Sequence, residues 1–129
     1  MPFDFLPQDT RKLAGHIAYQ DGLAAEDIAC RDYQLRGYRL IAQRWRGRCG
    51  EIDLIFEGNA ELVFVEVKKA RSFEIAAERL SERQLWRIAR SAEDYIGTVA
   101  TDPLTPMRLD LASVDDRGQV SVLENLTLY

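Results

Sequence analysis

Glu51, Asp53, Glu66 and Lys68 carry the chemistry that this sequence most plainly offers. They fall in two short runs, Glu51 to Phe56 and Glu61 to Lys68, whose residues alternate with the period of a strand. Between the runs stands Gly58-Asn59, a dipeptide suited to a tight hairpin turn. A turn at that dipeptide sets Asp53 opposite Phe64 and Glu51 opposite Glu66. Directly opposed residues share a face, so Glu51, Asp53, Ile55, Leu62, Phe64, Glu66 and Lys68 line one side of the hairpin. Ile52, Leu54, Phe56, Val63, Val65 and Val67 line the other, which is wholly apolar and is expected to pack on the core.

Carboxylates facing one another across a strand pair are unfavourable, and more so in a low dielectric. A divalent cation reverses the sign. Magnesium prefers oxygen donors, keeps several waters and is commonly held by one or two carboxylates together with substrate phosphate, which suits Asp53 and Glu66. Lys68, two residues beyond Glu66 on the same side, offers an ammonium to an attacking water or to charge developing on a phosphoryl group. An ordinary hairpin with one wet face would also alternate. Against that simpler reading stand the apolar Leu62 and Phe64 on the acidic face and the convergence of like charges. A basic loop, Arg46-Gly47-Arg48-Cys49-Gly50, expected to be mobile, flanks the acids.

Other elements must position this hairpin. Leu13, Ile17, Leu23 or Ala24, Ile28 and Leu35 recur at helical spacing and predict a helix over residues 10–36, ended by Gly37. Tyr38 to Trp45 reads as a strand. Ser81 with Gln84 forms a capping-box signature, and Leu85, Ile88, Ala89, Ala92, Tyr95 and Ile96 continue it as one face of a helix over residues 81–97. Residues 72–80 fit a helical turn or a loop. Beyond the breaker Thr101-Asp102-Pro103, Met107 to Val114 and Gln119 to Leu123 read as strands about the turn Asp115-Asp116-Arg117-Gly118. The order is helix, three strands, helix, one or two strands, which gives an α/β sandwich with a mixed sheet.

A chain of 129 residues, 47% hydrophobic, is expected to form a single domain over residues 1–129 without disulfides or structural metals. No apolar run approaches the roughly 20 residues of a membrane span, and Met-Pro-Phe-Asp-Phe lacks the basic-then-apolar order of a signal peptide, so a cytoplasmic location is expected. Cys30 and Cys49 have no CxxC spacing and His16 has no nearby partner, which argues against a zinc site. The net charge of -4 argues against a protein that coats nucleic acid by bulk electrostatics. Locally the balance inverts: Arg31, Arg36, Arg39, Arg44, Arg46 and Arg48 oppose only Asp32 before the hairpin, and Lys68, Lys69 and Arg71 follow it, a bias that favours a polyanionic partner.

Gly50-Glu51-Ile52-Asp53-Leu54-Ile55 followed by Val63-Phe64-Val65-Glu66-Val67-Lys68 resembles the signature of the bacterial YraN family, also called UPF0102. Glu26 with Ala29, Gly37-Tyr38, and Arg108-Leu109-Asp110-Leu111-Ala112-Ser113-Val114 extend the likeness over residues 22–114. That family is similar in turn to the restriction-endonuclease-like, PD-(D/E)xK, superfamily, with its D…ExK motif on adjacent strands of an αβββαβ core, a mixed sheet flanked by helices. The resemblance implies that Asp53, Glu66 and Lys68 are the motif, that Glu26 is an acid supplied by the first helix, that Gln84 is the polar residue of the following helix, and that Glu51 is an outer carboxylate. Asp53, Glu66, Glu26 and Glu51 are then the metal-facing set for Mg2+ or Mn2+. Lys69-Ala70-Arg71 departs from the pattern, displacing by one the arginine that follows the motif in many relatives.

The activity so implied is metal-dependent hydrolysis of phosphodiester bonds in DNA, including branched or structured nucleic acid. The rival is a non-catalytic nuclease-fold module that binds nucleic acid or a protein partner. A small-molecule enzyme finds no glycine-rich phosphate loop or nucleophile motif here. A homodimer is also compatible with the sequence, since the apolar segment Leu123 to Tyr129 would either pair in the sheet or meet another subunit.

Overall fold

A computed structural model describes the backbone of residues 7–98, 102 and 104–126, and side chains within those ranges from residue 21 onward. His16, the apolar positions Leu13 and Ile17, and residues 127–129 lie outside the described side chains. The elements are α1 (Pro7–Leu35), β1 (Arg39–Arg46), β2 (Glu51–Gly58), β3 (Glu61–Lys69), α2 (Phe73–Arg79), α3 (Glu82–Thr98), β4 (Met107–Val114) and β5 (Val120–Leu123). The ambiguous stretch after the hairpin is therefore helical: Ser72 caps α2, its Oγ accepting the Ile75 N–H at 3.3 Å. Gly37 terminates α1 with φ 96°, as its position after the last apolar turn predicted.

The five strands form one mixed sheet in the order β1-β2-β3-β4-β5. Only β3 and β4 run parallel. A parallel pair needs a crossover, and α2 with α3 supplies it. The sheet separates two cores. Ala25, Ala29, Cys30 and Tyr33 of α1 pack with Leu54, Phe56, Val63 and Val65 on one side. Ile88, Ala92 and Tyr95 of α3 pack with Ile52, Ile55, Leu62 and Phe64 on the other. Among the described residues no helix is long and apolar enough to cross a membrane.

Two expectations about the hairpin need correction. The turn is Asn59-Ala60, closed by the pair Gly58↔Glu61, with φ of 54° and 62° at its two residues. That is the primed geometry that matches strand twist. Gly58 is a strand residue instead, and the ring of Tyr38 explains it: a β-carbon there would sit 2.5 Å from Tyr38 Cδ1. The register consequently shifts by two, pairing Ile55 with Phe64 and Leu54 with Val65. An even shift preserves which residues share a face along the paired stretch, but it moves Asp53 away from Phe64 and toward the Glu66 end of β3.

The second correction concerns Ile52, expected beside Leu54 and Phe56. It joins the opposite core with Ile55. Two residues three apart cannot share a face of a regular strand, so the alternation breaks between them, at Asp53. The regular ladder between β2 and β3 ends at Leu54↔Val65. Just beyond, the Asp53 Oδ2 accepts the Val67 N–H at 2.8 Å, which turns the carboxylate along the sheet toward β3.

A buried polar network fastens α1 to β4 on the side away from α3. Asp110, 1% exposed, accepts Tyr33 Oη–H at 2.7 Å, Arg108 Nε–H at 3.1 Å and the Asn125 N–H at 3.0 Å. Burial and the Asp110 charge push the Tyr33 hydroxyl upward, so it stays a donor. Arg108 also donates to Glu61 at 2.7 Å and to the Tyr38 hydroxyl at 3.0 Å. The chain after β5 is anchored by Leu126, whose N–H donates to Leu109 O at 2.7 Å.

Candidate functional site

Glu66 is the centre of the cluster. It is 7% exposed at mid-β3, where one Oε1 receives Gln84 Nε2 at 2.9 Å and lies 3.2 Å from Lys68 Nζ. Alternation along β3 puts Lys68 on the Glu66 side, as the sequence required. Gln84 reaches it because α3 packs across that face. The expected capping box is only half built: Ser81 Oγ accepts the Gln84 N–H at 3.1 Å, while the Gln84 side chain is turned to Glu66. A residue that looked committed to a cap is therefore available to the site.

Asp53 and Glu66 are within hydrogen-bonding reach of each other. Burial, reinforced by the Glu66 charge, pushes the Asp53 carboxyl up to about 7. Burial also raises Glu66, against the pull of the Lys68 ammonium. Two carboxylates this close and this desolvated cannot both ionise cheaply. A cavity of about 140 Å³, lined by Gly50, Glu51, Asp53, Glu66, Gln84, Arg87 and Ile88, opens onto them.

Glu26 stands apart from this cavity. It accepts Arg44 Nε–H at 3.1 Å and lines an adjacent depression with Gly22, Leu23, Arg44 and Glu51. Arg44 is held at φ 49°, a conformation that costs a non-glycine residue and that recurs where a side chain must be aimed. Burial raises the Glu26 carboxyl, the Asp53 and Glu51 charges adding to it. Glu51 borders both hollows and connects them. Among the described residues no three histidine, cysteine or acidic side chains converge as a ready-made metal cage. The four expected acids thus divide into a contacting pair, Asp53 with Glu66, and two flanking carboxylates, Glu26 and Glu51.

The loop over residues 47–50 is tethered, contrary to its mobile reading. The Arg48 N–H donates to Asp94 Oδ2 at 3.0 Å, and Ser91 Oγ donates to Gly50 O at 3.0 Å, so α3 fixes it. The arginines that gave the sequence its basic bias are largely neutralised. Arg31, Arg36, Arg39, Arg44 and Arg48 face Asp27, Asp32, Glu57, Glu26 and Asp94 respectively. Arg87 was missed, although its place three residues after Gln84 puts it on the adjoining helix face.

Residues 25–114 match the model of a family described as Uncharacterised protein family UPF0102. The chain belongs to UPF0102. A UPF0102 protein of Ruegeria pomeroyi is 47% identical over 116 residues, covering 90% of this chain and 92% of the relative. A second, from Roseobacter denitrificans, is 46% identical over 121 residues, covering 93% and 94%. A third, from Cereibacter sphaeroides, is 42% identical over 113 residues, covering 88% and 97%. The UPF0102 segment contains Glu26, Glu51, Asp53, Glu66, Lys68 and Gln84, as well as Arg108 and Asp110.

Proposed function

We propose that this UPF0102 protein is a Mg2+- or Mn2+-dependent endonuclease that hydrolyses phosphodiester bonds of DNA on a restriction-endonuclease-like core. The observation that carries the reading is the pairing of the half-buried Asp53 carboxylate with the buried Glu66 carboxylate, with an ammonium 3.2 Å from the latter, at the mouth of a polar cavity. The donor set fits a hard divalent cation: Asp53 and Glu66 supply oxygens, leaving the remainder to water and substrate phosphate. Glu26 and Glu51 would add negative potential from the flank. A cation held there would supply a Lewis acid able to polarise a phosphoryl oxygen and acidify water.

The protein's own groups have separable tasks. Gln84 fixes the Glu66 carboxylate through one oxygen, and the Val67 N–H fixes Asp53 through another. Lys68 offsets the charge of the pair and stands ready to orient a water or stabilise an anionic phosphoryl group. Arg87 at the cavity rim offers a guanidinium to the phosphate backbone. The order α1, β1–β3, α3, β4 agrees with an αβββαβ core, α2 and β5 being additions. A DNA substrate implies a cytoplasmic site of action.

Cleavage of branched, single-stranded and duplex DNA with Mn2+ tests the reading. Wild-type protein is expected to cut at least one form, and Asp53→Ala and Lys68→Ala each to lose about 10^2-fold or more in rate. Equal residual activity in all three proteins would identify a contaminant and end the proposal. Salt-dependent DNA binding that survives Asp53→Ala, with no cleavage by wild type, would favour the non-catalytic module.

A further inference from the structure

The exposed face of α3 carries an aromatic ring with arginines on its cavity side and Glu82 and Glu93 beyond it. Trp86 is 52% exposed. The Arg90 guanidinium lies over its ring, 5.8 Å from the centroid. Arg83, Arg87 and Arg90 are exposed, and none faces a carboxylate among the described residues, in contrast to Arg31, Arg36, Arg39 and Arg44.

Helical geometry relates this face to the site. At about 100° per residue, Arg87 stands roughly 60° around the helix from Gln84, Arg83 and Arg90 roughly 100–120°, and Trp86 roughly 160°, all in the same sense. Gln84 touches Glu66 and Arg87 borders the cavity, so the four residues form a track leading outward from the carboxylates. Asp94 closes the track one turn beyond Arg90 and is already engaged by the Arg48 N–H.

We infer that this track binds the backbone of an unpaired nucleic-acid strand, with Trp86 stacking on one of its bases, so that the preferred substrate is single-stranded DNA or the single-stranded arm of a branched one. The inference rests on the nuclease reading and names its substrate class. Arg83, Arg87 and Arg90 lie between the cavity and Trp86, with the exposed Glu82 and Glu93 roughly 20–40° beyond it, so charge complementarity selects a polyanion on the cavity side and the ring selects a strand with accessible base faces. In duplex DNA those faces are covered by neighbouring pairs, whereas in a single strand an exposed tryptophan flanked by arginines is the recurrent device for holding it. Arginines without protein partners release bound counterions when phosphates replace water.

The test is fluorescence anisotropy in EDTA, with a labelled oligonucleotide about 12 nucleotides long, alone and as a blunt duplex. Wild type is expected to favour the single strand. Trp86→Ala should weaken single-strand binding about tenfold or more and duplex binding less than about twofold, with Trp86→Phe restoring most of the loss. Arg83→Ala with Arg90→Ala should lower the salt slope on single strands by about 1.4. Unchanged single-strand affinity in Trp86→Ala would overturn the inference, as would equal losses on both DNAs. So would an effect confined to self-association, read by sedimentation, which would make the face a subunit contact. Because no cation is present, the two readings fail separately: binding that depends on Trp86 without cleavage by wild type removes the catalytic claim alone, and cleavage with Trp86-independent binding removes this one alone.

Discussion

In the absence of divalent cations at about pH 8, Asp53→Asn is expected to be more stable than the wild type while losing its metal-dependent activity. The asparagine carbonyl can still accept the Val67 N–H, and its amide can donate to Glu66, so the geometry survives and one buried negative charge goes. Two charges about 4 Å apart repel by about 4 kcal/mol at an effective dielectric of 20. Lys68 and residual water reduce that, leaving an expected gain of about 1–3 kcal/mol, or roughly 3–10 °C in Tm.

The pH dependence fixes the sign. Asp53 titrates at about 7 in the folded protein. In an unfolded chain an aspartate titrates near about 3.9. Between those values the folded state binds more protons, so the stability due to the Asp53 proton is complete below about pH 4 and is lost as pH rises through about 7. Wild-type Tm should therefore fall over that window relative to Asp53→Asn, and the two curves should converge toward the acidic end. A variant no more stable than wild type at about pH 8 would mean that the carboxylates do not strain the fold.

Asp110→Ala is expected to cost about 3–5 kcal/mol, the usual penalty for removing one member of a buried charge network. That is a large part of the roughly 5–15 kcal/mol that holds a domain together. Arg108 would lose its most buried partner, the Tyr33 hydroxyl its acceptor, and the chain after β5 the anchor at the Asn125 N–H. Glu61 and the Tyr38 hydroxyl would remain for the guanidinium, which is why the loss should not be larger. Urea unfolding measures it as a shifted midpoint at unchanged slope. A loss below about 1 kcal/mol would show that Arg108 is compensated from elsewhere.

Most elements were legible because their signals are local. The Ser81 cap, the apolar face behind it and the Gly37 stop placed α3 and the end of α1 within a residue or two, and Met107–Val114 matched its predicted bounds. The hairpin was legible in parity from Leu54 onward but not in register. Gly58 read as a turn glycine because nothing in the sequence says that Tyr38, twenty positions earlier, lies against it. The turn instead holds Ala60 at φ 62°, a choice that propensity argues against and that the flanking pairs impose.

Within the candidate site, alternation alone could place Glu66 and Lys68 on one side, and it did. It could not reveal that β2 breaks its alternation at Asp53, because that break depends on a hydrogen bond to β3. Nor could it show that Arg44 takes up Glu26, which sets that acid beside the cavity and not in it. Charge counting along the chain has a related blind spot: it does not see that Arg31, Arg36, Arg39 and Arg44 meet carboxylates in space. Arg83, Arg87 and Arg90, which meet no described carboxylate, sit on α3, where the sequence places equal numbers of acids and bases close together and so hides them.

Calorimetric titration of Mn2+ into the wild type and Asp53→Asn at about pH 6.5 tests the central claim most directly, since a cation must compete with protons for the Asp53 carboxyl, which burial pushes up to about 7. The expected result is saturable binding to wild type with release of about one proton, read from two buffers of different ionisation enthalpy, and at least about tenfold weaker binding to Asp53→Asn. Binding of equal strength in both proteins, or none in either, would contradict a metal centre at Asp53 and Glu66.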